Sequence, residues 1–366
     1  MTPSARIAVF PGDGIGPEVI AEARAVLERC AEVFRFDIEW TEAPVGGIAI
    51  DRHETALPES SLELARASDA VLLGAVGGPR WDNPRSTVRP EQALLRLRKE
   101  LDLYANLRPI RVPAALVPAA AVHARLVHGV NILFVRELTG GLYFGQPSEL
   151  RNGPDGRAAV DTLSYREDEI ARVTRLAFAL ARGRRRRVTS VDKANILATS
   201  RLWREIVAEV SREHPDVQRE DVLVDAMAMH LLRRPRDFDV VVTENLFGDI
   251  LTDEAAVLIG SLGMLPSASL GDARNRIGER FGLYEPVHGS APDIAGRGIA
   301  NPMGAILSAA MLLEYSLRQP AAARAIEMAV DWVLDAGLRT ADISHNGCRT
   351  VGTREIGAAI RARLRG

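Results

Sequence analysis

Short β-branched runs recur along the first hundred residues with helical stretches between them: RIAVF at 6–10, Pro17 to Glu32, DAVLLGAVG at 69–77, then Pro90 to Leu101. Alternation of this kind belongs to an α/β sheet, in which each strand hands over to a helix packed on one face. The middle of the chain changes character. VNILFVREL at 130–138, GLYFGQPSEL at 141–150 and RAAVDTLSY at 157–165 follow one another with no long helix between them, which predicts a separate, partly antiparallel element. Beyond it the pattern predicts a helix near Arg166 to Arg182, a strand at RVTSVDKA, another helix, and strand-like segments at DVLVDAMAM and FDVVVTEN. The last hundred residues read as loops and helices, including an apolar helix after Pro302. At roughly 150 residues per domain, a chain of 366 is expected to form two lobes.

Several function classes drop out on composition. Apolar residues make up 47% and charged residues 26%, the usage of a chain that folds. The net charge of −2 gives no overall basic field for nucleic acid or anionic lipid. The longest apolar stretches, Val112 to Val122 and Pro302 to Leu313, are interrupted by proline or too short for about 30 Å of hydrocarbon, so no membrane span is expected. The N-terminus MTPSARIAVF has no tripartite leader, and a cytoplasmic protein is expected. Cys30 and Cys348 are too few for a disulfide framework or a four-ligand zinc site. The one charge block, Arg184 to Arg187, reads as a solvated helix end rather than a nucleic-acid patch.

Of the 46 basic residues only Lys99 and Lys193 are lysines. A chain that writes arginine wherever a surface cation serves keeps lysine either by chance or for chemistry that arginine cannot supply. Arginine does not release its proton in a protein, whereas a lysine with a depressed pKa does. Lys193 ends a β-branched strand in TSVDKANIL, where α/β enzymes present working groups, and is a candidate proton acceptor.

Three other constellations stand out. PGDGIGPEV joins the first strand to the first helix, but it is not G-x-G-x-x-G, so a structural turn serves as well as a dinucleotide fingerprint and no Rossmann domain is assigned. Asp249 and Asp253, four apart in ENLFGDILTDEAA, emerge from one face of a helix and could grip one oxygen-loving cation together. Asp225, in VLVDAMAMHLL, offers a third carboxylate in apolar surroundings. The same spacing also suits helix caps or arginine partners. Arg98, Arg108 and Arg136 lie in extended or turn-like, apolar context, and their guanidinium forks match a di-acid or a phosphate if the fold brings them to one place.

GDGIGPEV, LLGAVGGPRWD, RPEQALLRLRKELDLYANLRP, RELTGGLYFG, SVDKAN, DAMAMHLL, ENLFGDILTDE and EPVHGSAPDIAGRGIANP together resemble the isocitrate and isopropylmalate dehydrogenase family, in order from Gly12 to Asn301. The resemblance implies a non-Rossmann α/β fold of two domains with a mixed sheet spanning both. A large cofactor-binding domain would be built from 1–103 and 260–366, and a small domain, 104–259, would carry the dimer interface. It implies oxidative decarboxylation of (2R,3S)-3-isopropylmalate to 4-methyl-2-oxopentanoate and carbon dioxide in leucine biosynthesis, with NAD and a magnesium or manganese ion.

Carried over residue by residue, the resemblance makes Arg98, Arg108 and Arg136 the clamp on the substrate carboxylates and Asp225, Asp249 and Asp253 the metal ligands. Lys193 would take the hydroxyl proton, with Asp225 beside it, and Tyr143 would protonate the enolate. Lys193, Asn195 and Asp225 would serve the site of the neighbouring subunit in a homodimer. Glu285, His288, Gly289, Ser290, Ala291, Asp293 and Asn301 would form the cofactor face, with Asn195 and the Gly78 to Glu91 loop near the nicotinamide. Asp293 would accept hydrogen bonds from the adenosine ribose and repel a 2′-phosphate, favouring NAD over NADP. Glu91, Leu94 and Leu95 would wall the substrate's isopropyl group, and burying its methyls is worth about 0.8 kcal/mol per carbon.

Relatives acting on isocitrate, homoisocitrate, D-malate or tartrate are the nearest alternatives, and an inactive regulatory subunit is the alternative of a different class. The leucine pair counts against the isocitrate-type enzymes, the RPE lead-in and SVDKAN count against the malate and tartrate enzymes, which share that pair, and the complete set of metal and proton-transfer residues counts against the inactive subunit. His53, Glu54 and DISHNGCRTVG depart from the family's pattern, which bears on loop shape and on an adenine contact by Asp342.

Overall fold

The computed structural model describes residues 4–83, 86–154 and 156–365; positions 84 and 85 of the Gly78 to Glu91 loop thus fall outside it. The first β-branched run forms β1 (Ala5–Gly12), followed by α1 (Gly16–Phe34), β2 (Ile38–Glu42), α2 (Gly47–His53), α3 (Glu59–Ala67), β3 (Ala70–Ala75), α4 (Gln92–Glu100) and β4 (Ala105–Arg111). A short α5 (Ala124–Val127) precedes β5 (Asn131–Glu137), the ribbon β6 (Glu149–Gly153) and β7 (Gly156–Val160), α6 (Glu167–Arg182), β8 (Arg187–Asp192) and α7 (Ala198–Arg212). Then come β9 (Gln218–Leu223), α8 (Val224–Arg233), β10 (Val240–Thr243), α9 (Asn245–Ala256), β11 (Pro266–Arg274), β12 (Arg280–Pro286), α10 (Met303–Tyr315), α11 (Pro320–Asp335) and α12 (Thr353–Arg361).

Ten strands form one mixed sheet in the order β2-β1-β3-β12-β11-β4-β5-β10-β8-β9. The strands of the two chain ends fill one half, and those of the middle fill the other. The halves meet where β11 runs antiparallel to β4, with Ala268 opposite Leu107 and Ser269 opposite Asn106. Strands on either side of this antiparallel centre pair in parallel, as in β1 with β3 and β10 with β5.

Alternation along the strands explains why both faces are covered. Ile7, Val9 and Leu72 enter one apolar cluster, and Ala8, Phe10, Val71 and Leu73 enter a second. Helix α10 is apolar on nearly every side and is buried among α1, α11, β11 and β12, the place such a helix must take. No helix among the described residues is long and apolar enough to cross a membrane.

The glycine turn has a structural task. Gly14 adopts φ +57°, and a Cβ there would stand 1.9 Å from the carbonyl oxygen of Ser290. That approach lets Ile15 N donate to Ser290 O at 2.8 Å. Beside it, buried Asp13 accepts from the backbone amides of Gly47, Ile48 and Gly77 at 2.7, 2.8 and 2.9 Å.

Four expectations need correction. DVLVDAMAM is a strand only through Leu223; Asp225 lies in the first turn of α8 and is exposed rather than held in apolar surroundings, because the apolar spacing from Met227 to Leu231 suits a helix face. GLYFG at 141–145 opens with a single tight turn of 3-10 helix at Gly141–Tyr143, and only the end of GLYFGQPSEL enters a strand. The last hundred residues contain, besides a two-residue pairing of Leu338–Arg339 with Arg349–Thr350, the long strands β11 and β12, disguised by serines and glycines that fit a buried position. The Arg184 to Arg187 run is not simply solvated. Arg184 and Arg185 close the α6–β8 connection on buried Asp239, with Arg184 Nε donating at 2.9 Å and Arg185 N at 2.8 Å.

Candidate active site

Antiparallel pairing of β4 with β5 puts Arg136 opposite Asn106, with Arg108 two residues further along on the same face. Strand β10 lies on the other side of β5 and delivers the start of α9 to the same place. Arg98 comes from α4, not from an extended segment. All three arginines are buried, at 5%, 8% and 1% exposure for Arg98, Arg108 and Arg136.

Each guanidinium is held from behind. Arg108 donates through Nε to Asn106 Oδ1 at 2.8 Å, through Nη1 to Thr252 Oγ1 at 2.6 Å and through Nη2 to Asp249 Oδ1 at 3.3 Å. Its Nη1 also lies 3.5 Å from Asp253 Oδ1. Arg136 donates through Nε and Nη2 to Asn245 Oδ1 at 3.0 and 2.7 Å, and its Nη1 forms an ion pair with Asp249. Gly248 makes room for that arrangement, since a Cβ there would lie 2.7 Å from Arg136 Cγ. Arg98 Nη2 donates to Glu285 Oε1 at 2.9 Å, while its Nε is buried with no partner among the described residues.

Tyr143 completes the cluster. Its hydroxyl donates to Asp249 Oδ2 at 2.8 Å and its ring lies 5.7 Å from the Arg136 guanidinium. Desolvation and the Asp249 charge push the phenol up to about 12, so it holds its proton throughout the neutral range. Burial would raise the Asp249 carboxyl, but Arg136 and Arg108 outweigh it and hold the group below its usual value. Asp253, with weaker partners, is raised by desolvation. Burial and the neighbouring Arg108 bring Arg136 down to about 10, which leaves it charged at neutral pH.

A cavity of about 200 Å³ opens beside the arginines, lined by Glu91, Leu94, Arg98, Arg108, Ser267, Glu285, His288 and Gly289 among others. Leu94 faces it; Leu95 is half-buried and does not line it. The Nε2 of His288 is buried without a partner among the described residues, and desolvation lowers the imidazole's pKa, so the ring is neutral at pH 7. Ser290 is buried, Ala291 takes φ +38° in the turn that follows, and Asp293 stands exposed. Asn301 Nδ2 donates to Asp342 Oδ2 at 3.1 Å, and Asp342 itself is exposed. Gly78 begins the loop toward Glu91 with a φ of +154°, a conformation that favours glycine. A larger groove of about 780 Å³ between α1 and the β2–α2 segment contains none of the three arginines.

Lys193 and Asp225 form a second, separate group. Lys193 Nζ donates to Asp225 Oδ1 at 2.7 Å, and that bond lowers the Asp225 carboxyl's pKa. Asn195 is exposed two residues away. Among the described residues no hydrogen bond or ion pair joins this pair to the arginine cluster, and none of their His, Cys, Asp or Glu side chains form a group of three close enough to share a metal ion. The expected metal trio is therefore divided within one chain into Asp249 with Asp253 and, elsewhere, Asp225.

Asn106, Thr252, Asn245 and Asp13 were not singled out from sequence. Asn106 had a signal, lying two residues before Arg108 on a strand, and Thr252 had one, lying three after Asp249 on a helix. Asn245 and Asp13 act through long-range contacts that no local spacing shows.

Three buried arginines beside carboxylates suit a small poly-acid, and comparison with known proteins gives the class. A family model described as isocitrate/isopropylmalate dehydrogenase matches residues 6–360, and the chain belongs to that family. A protein of Pseudomonas putida named 3-isopropylmalate dehydrogenase is 54% identical over 363 residues, 99% of each chain. One of the same name from Aquifex aeolicus is 52% identical over 96% of this chain and 94% of its own. Among solved structures, isocitrate dehydrogenase from Methylococcus capsulatus superposes with a TM-score of 0.86 at 37% identity, covering 99% of this chain and 100% of its own. A β-decarboxylating dehydrogenase from Thermococcus kodakarensis gives 0.76 at 40% identity, over 98% and 96%.

Proposed function

We propose that the protein catalyses NAD-dependent oxidative decarboxylation of (2R,3S)-3-isopropylmalate to 4-methyl-2-oxopentanoate and carbon dioxide in leucine biosynthesis. The observation that carries this reading is the convergence of buried Arg98 and Arg108 on a cavity also walled by Leu94, with Arg136 bound into the same cluster. Two carboxylates and one apolar branch are what such a pocket accepts. Relatives more than 50% identical over nearly the whole chain and named for this reaction support it.

The residues present fit both accessory groups. Asp249 and Asp253 offer hard oxygen donors one helical turn apart, suited to magnesium or manganese, with Asp225 of a second copy as the third ligand. The orphaned Nε2 of His288 and the open backbone at Gly289, where a Cβ would meet nothing within 4 Å, suit a nucleotide against the 285–291 segment. Exposed Asp293 favours NAD over a 2′-phosphorylated cofactor. When bound, the cation supplies Lewis acidity at the substrate hydroxyl and the nicotinamide accepts hydride.

The chain's own groups do the rest. Arg98, Arg108 and Arg136 hold the substrate carboxylates, with orientation fixed by Glu285, Asn106, Thr252 and Asn245. Lys193 takes the hydroxyl proton, which an arginine there would be unable to do. After carbon dioxide leaves, Tyr143 gives its proton to the carbon that has lost its carboxylate, and its high pKa keeps that proton in place until then.

Lys193 and Asp225 reach this chemistry in a homodimer. Met229 and Leu232 on α8, Ile250 and Val257 on α9, and Leu150 on the β6–β7 ribbon are exposed, from 39% for Leu232 to 84% for Leu150. Apolar side chains concentrated this way on the half that bears Lys193 mark a contact surface, and a second copy is the occupant that also completes the site. Residues 1–103 with 260–366 form the large domain and 104–259 the small one, with the β11–β4 seam as the boundary between them.

NADH formation measured with isopropylmalate, isocitrate and D-malate, each with and without magnesium, tests this reading. Metal-dependent turnover on isopropylmalate, at least tenfold faster than on either rival, is expected; preference for isocitrate or D-malate contradicts it.

A further inference from the structure

We propose that Asn245 is a positioning residue that couples the Arg136 guanidinium to the turn carrying Tyr143; the inference rests on the reaction proposed above. Asn245 is the first residue of α9 and only 1% exposed. Its Oδ1 accepts from Arg136 Nε and Nη2, and its Nδ2 donates to the carbonyl oxygen of Gly140 at 3.1 Å. Its backbone amide donates to Tyr165 Oη at 2.9 Å. The chemistry fixes the orientation of the amide, because only its oxygen can accept from a guanidinium and only its nitrogen can donate to a carbonyl.

The contacts close a ring. Gly140 leads into the Gly141–Tyr143 turn, Tyr143 donates to Asp249, Asp249 pairs with Arg136, and Arg136 returns to Asn245. Tyr165 packs behind the turn: a Cβ on Gly141 would lie 2.5 Å from its hydroxyl. Asn245 thereby sets the distance between the group that binds a substrate carboxylate and the group that donates the final proton. An aspartate in its place would keep the shape, but it would turn a carboxylate oxygen toward the Gly140 carbonyl and compete with substrate for the Arg136 charge.

The test is steady-state kinetics of N245A and the isosteric N245D, each alone and combined with Y143F, with thermal melting as the folding control. Each single Asn245 variant should lower kcat about tenfold and raise the isopropylmalate KM about tenfold, while the NAD KM stays within about twofold. On the Y143F background, N245D should cost less than about twofold more in kcat, because the ring is already open. An N245D penalty that multiplies in full on Y143F, an NAD KM that rises in step, or an N245D chain that does not fold would each assign Asn245 a packing role and overturn the proposal. Full kcat in Y143F alone would instead strike the proton-donor assignment, and absence of wild-type turnover on isopropylmalate would strike the substrate, so those failures are told apart from this one.

Discussion

Arg136 is 1% exposed and all three of its guanidinium nitrogens find partners within the chain, whereas the Lys193 ammonium has one partner among the described residues, Asp225, whose side chain is 64% exposed. The first region is over-determined. Asn106, Thr252, Asn245 and Asp249 leave its arginines little freedom, so under the function proposed above substrate would meet groups already oriented and little ordering entropy would be lost on binding. The second region is a pair near solvent beside exposed Met229, Leu232 and Ile196. The fold of a single chain thus orders the first group fully and leaves the second at the surface.

The sharpest way to break this contrast is at the lysine. Lys193→Arg retains the positive charge but not the exchangeable proton, and kcat should fall by ~10²–10⁴, the usual share of a general base. Near-normal turnover would remove Lys193 from proton transfer. In the over-determined region, Arg136→Lys keeps charge but loses the fork that bonds Asn245 and Asp249 at once; kcat/KM for isopropylmalate should drop about 100-fold with the fold intact by circular dichroism. An unchanged kcat/KM would show that a point charge there suffices.

A third variant probes the surface. Met229→Asp combined with Ile250→Asp puts charge on the exposed apolar faces of α8 and α9 and should shift the protein from dimer to monomer in sedimentation velocity, with activity lost in parallel. A monomer that keeps full activity would show that Lys193 serves its own chain. The smallest effect concerns acid. His214 is buried against Phe178, with ring centroids 5.3 Å apart and neither nitrogen partnered among the described residues; desolvation lowers its pKa, as it does that of His288. Because the unfolded chain binds those protons near the ordinary value of 6.5 and the folded chain does not, stability is lost as pH falls below about 6.5. The Tm measured from pH 7.5 to 5.5 should fall, and His214→Phe should flatten that slope. An identical slope in the variant would exclude His214 as a source.

Much of this contrast was legible in the sequence. Arg136 stands in a β-branched run that already reads as strand-like, Arg108 in a segment read as extended or turn-like, and Asp249 and Asp253 at a spacing that already sets them on one helical face. The scarcity of lysine singles out Lys193 in the sequence itself. Asp225 was misread as strand-borne because VLVDAMAM is equally apolar as strand or helix over so few residues, and only the solvent-facing pattern of α8 decides between them. The strands β11 and β12 escaped because SASLG and GLYE owe their place to tight sheet packing rather than to β-branched content. Asn245 and Asp13 were out of reach for a different reason. Their partners lie more than thirty residues away, and which distant carbonyl or guanidinium meets an amide is a property of the whole fold.

The central claim is that a lysine from one chain works with arginines from another, and mixing two inactive variants tests it directly. Chains carrying Lys193→Ala and chains carrying Arg136→Gln, unfolded together and refolded as a mixture, should recover about a quarter of wild-type activity, since half the dimers are mixed and one of their two sites is intact. A mixture that stays as inactive as its separate components, while the exchange of subunits is verified independently, would contradict a shared site.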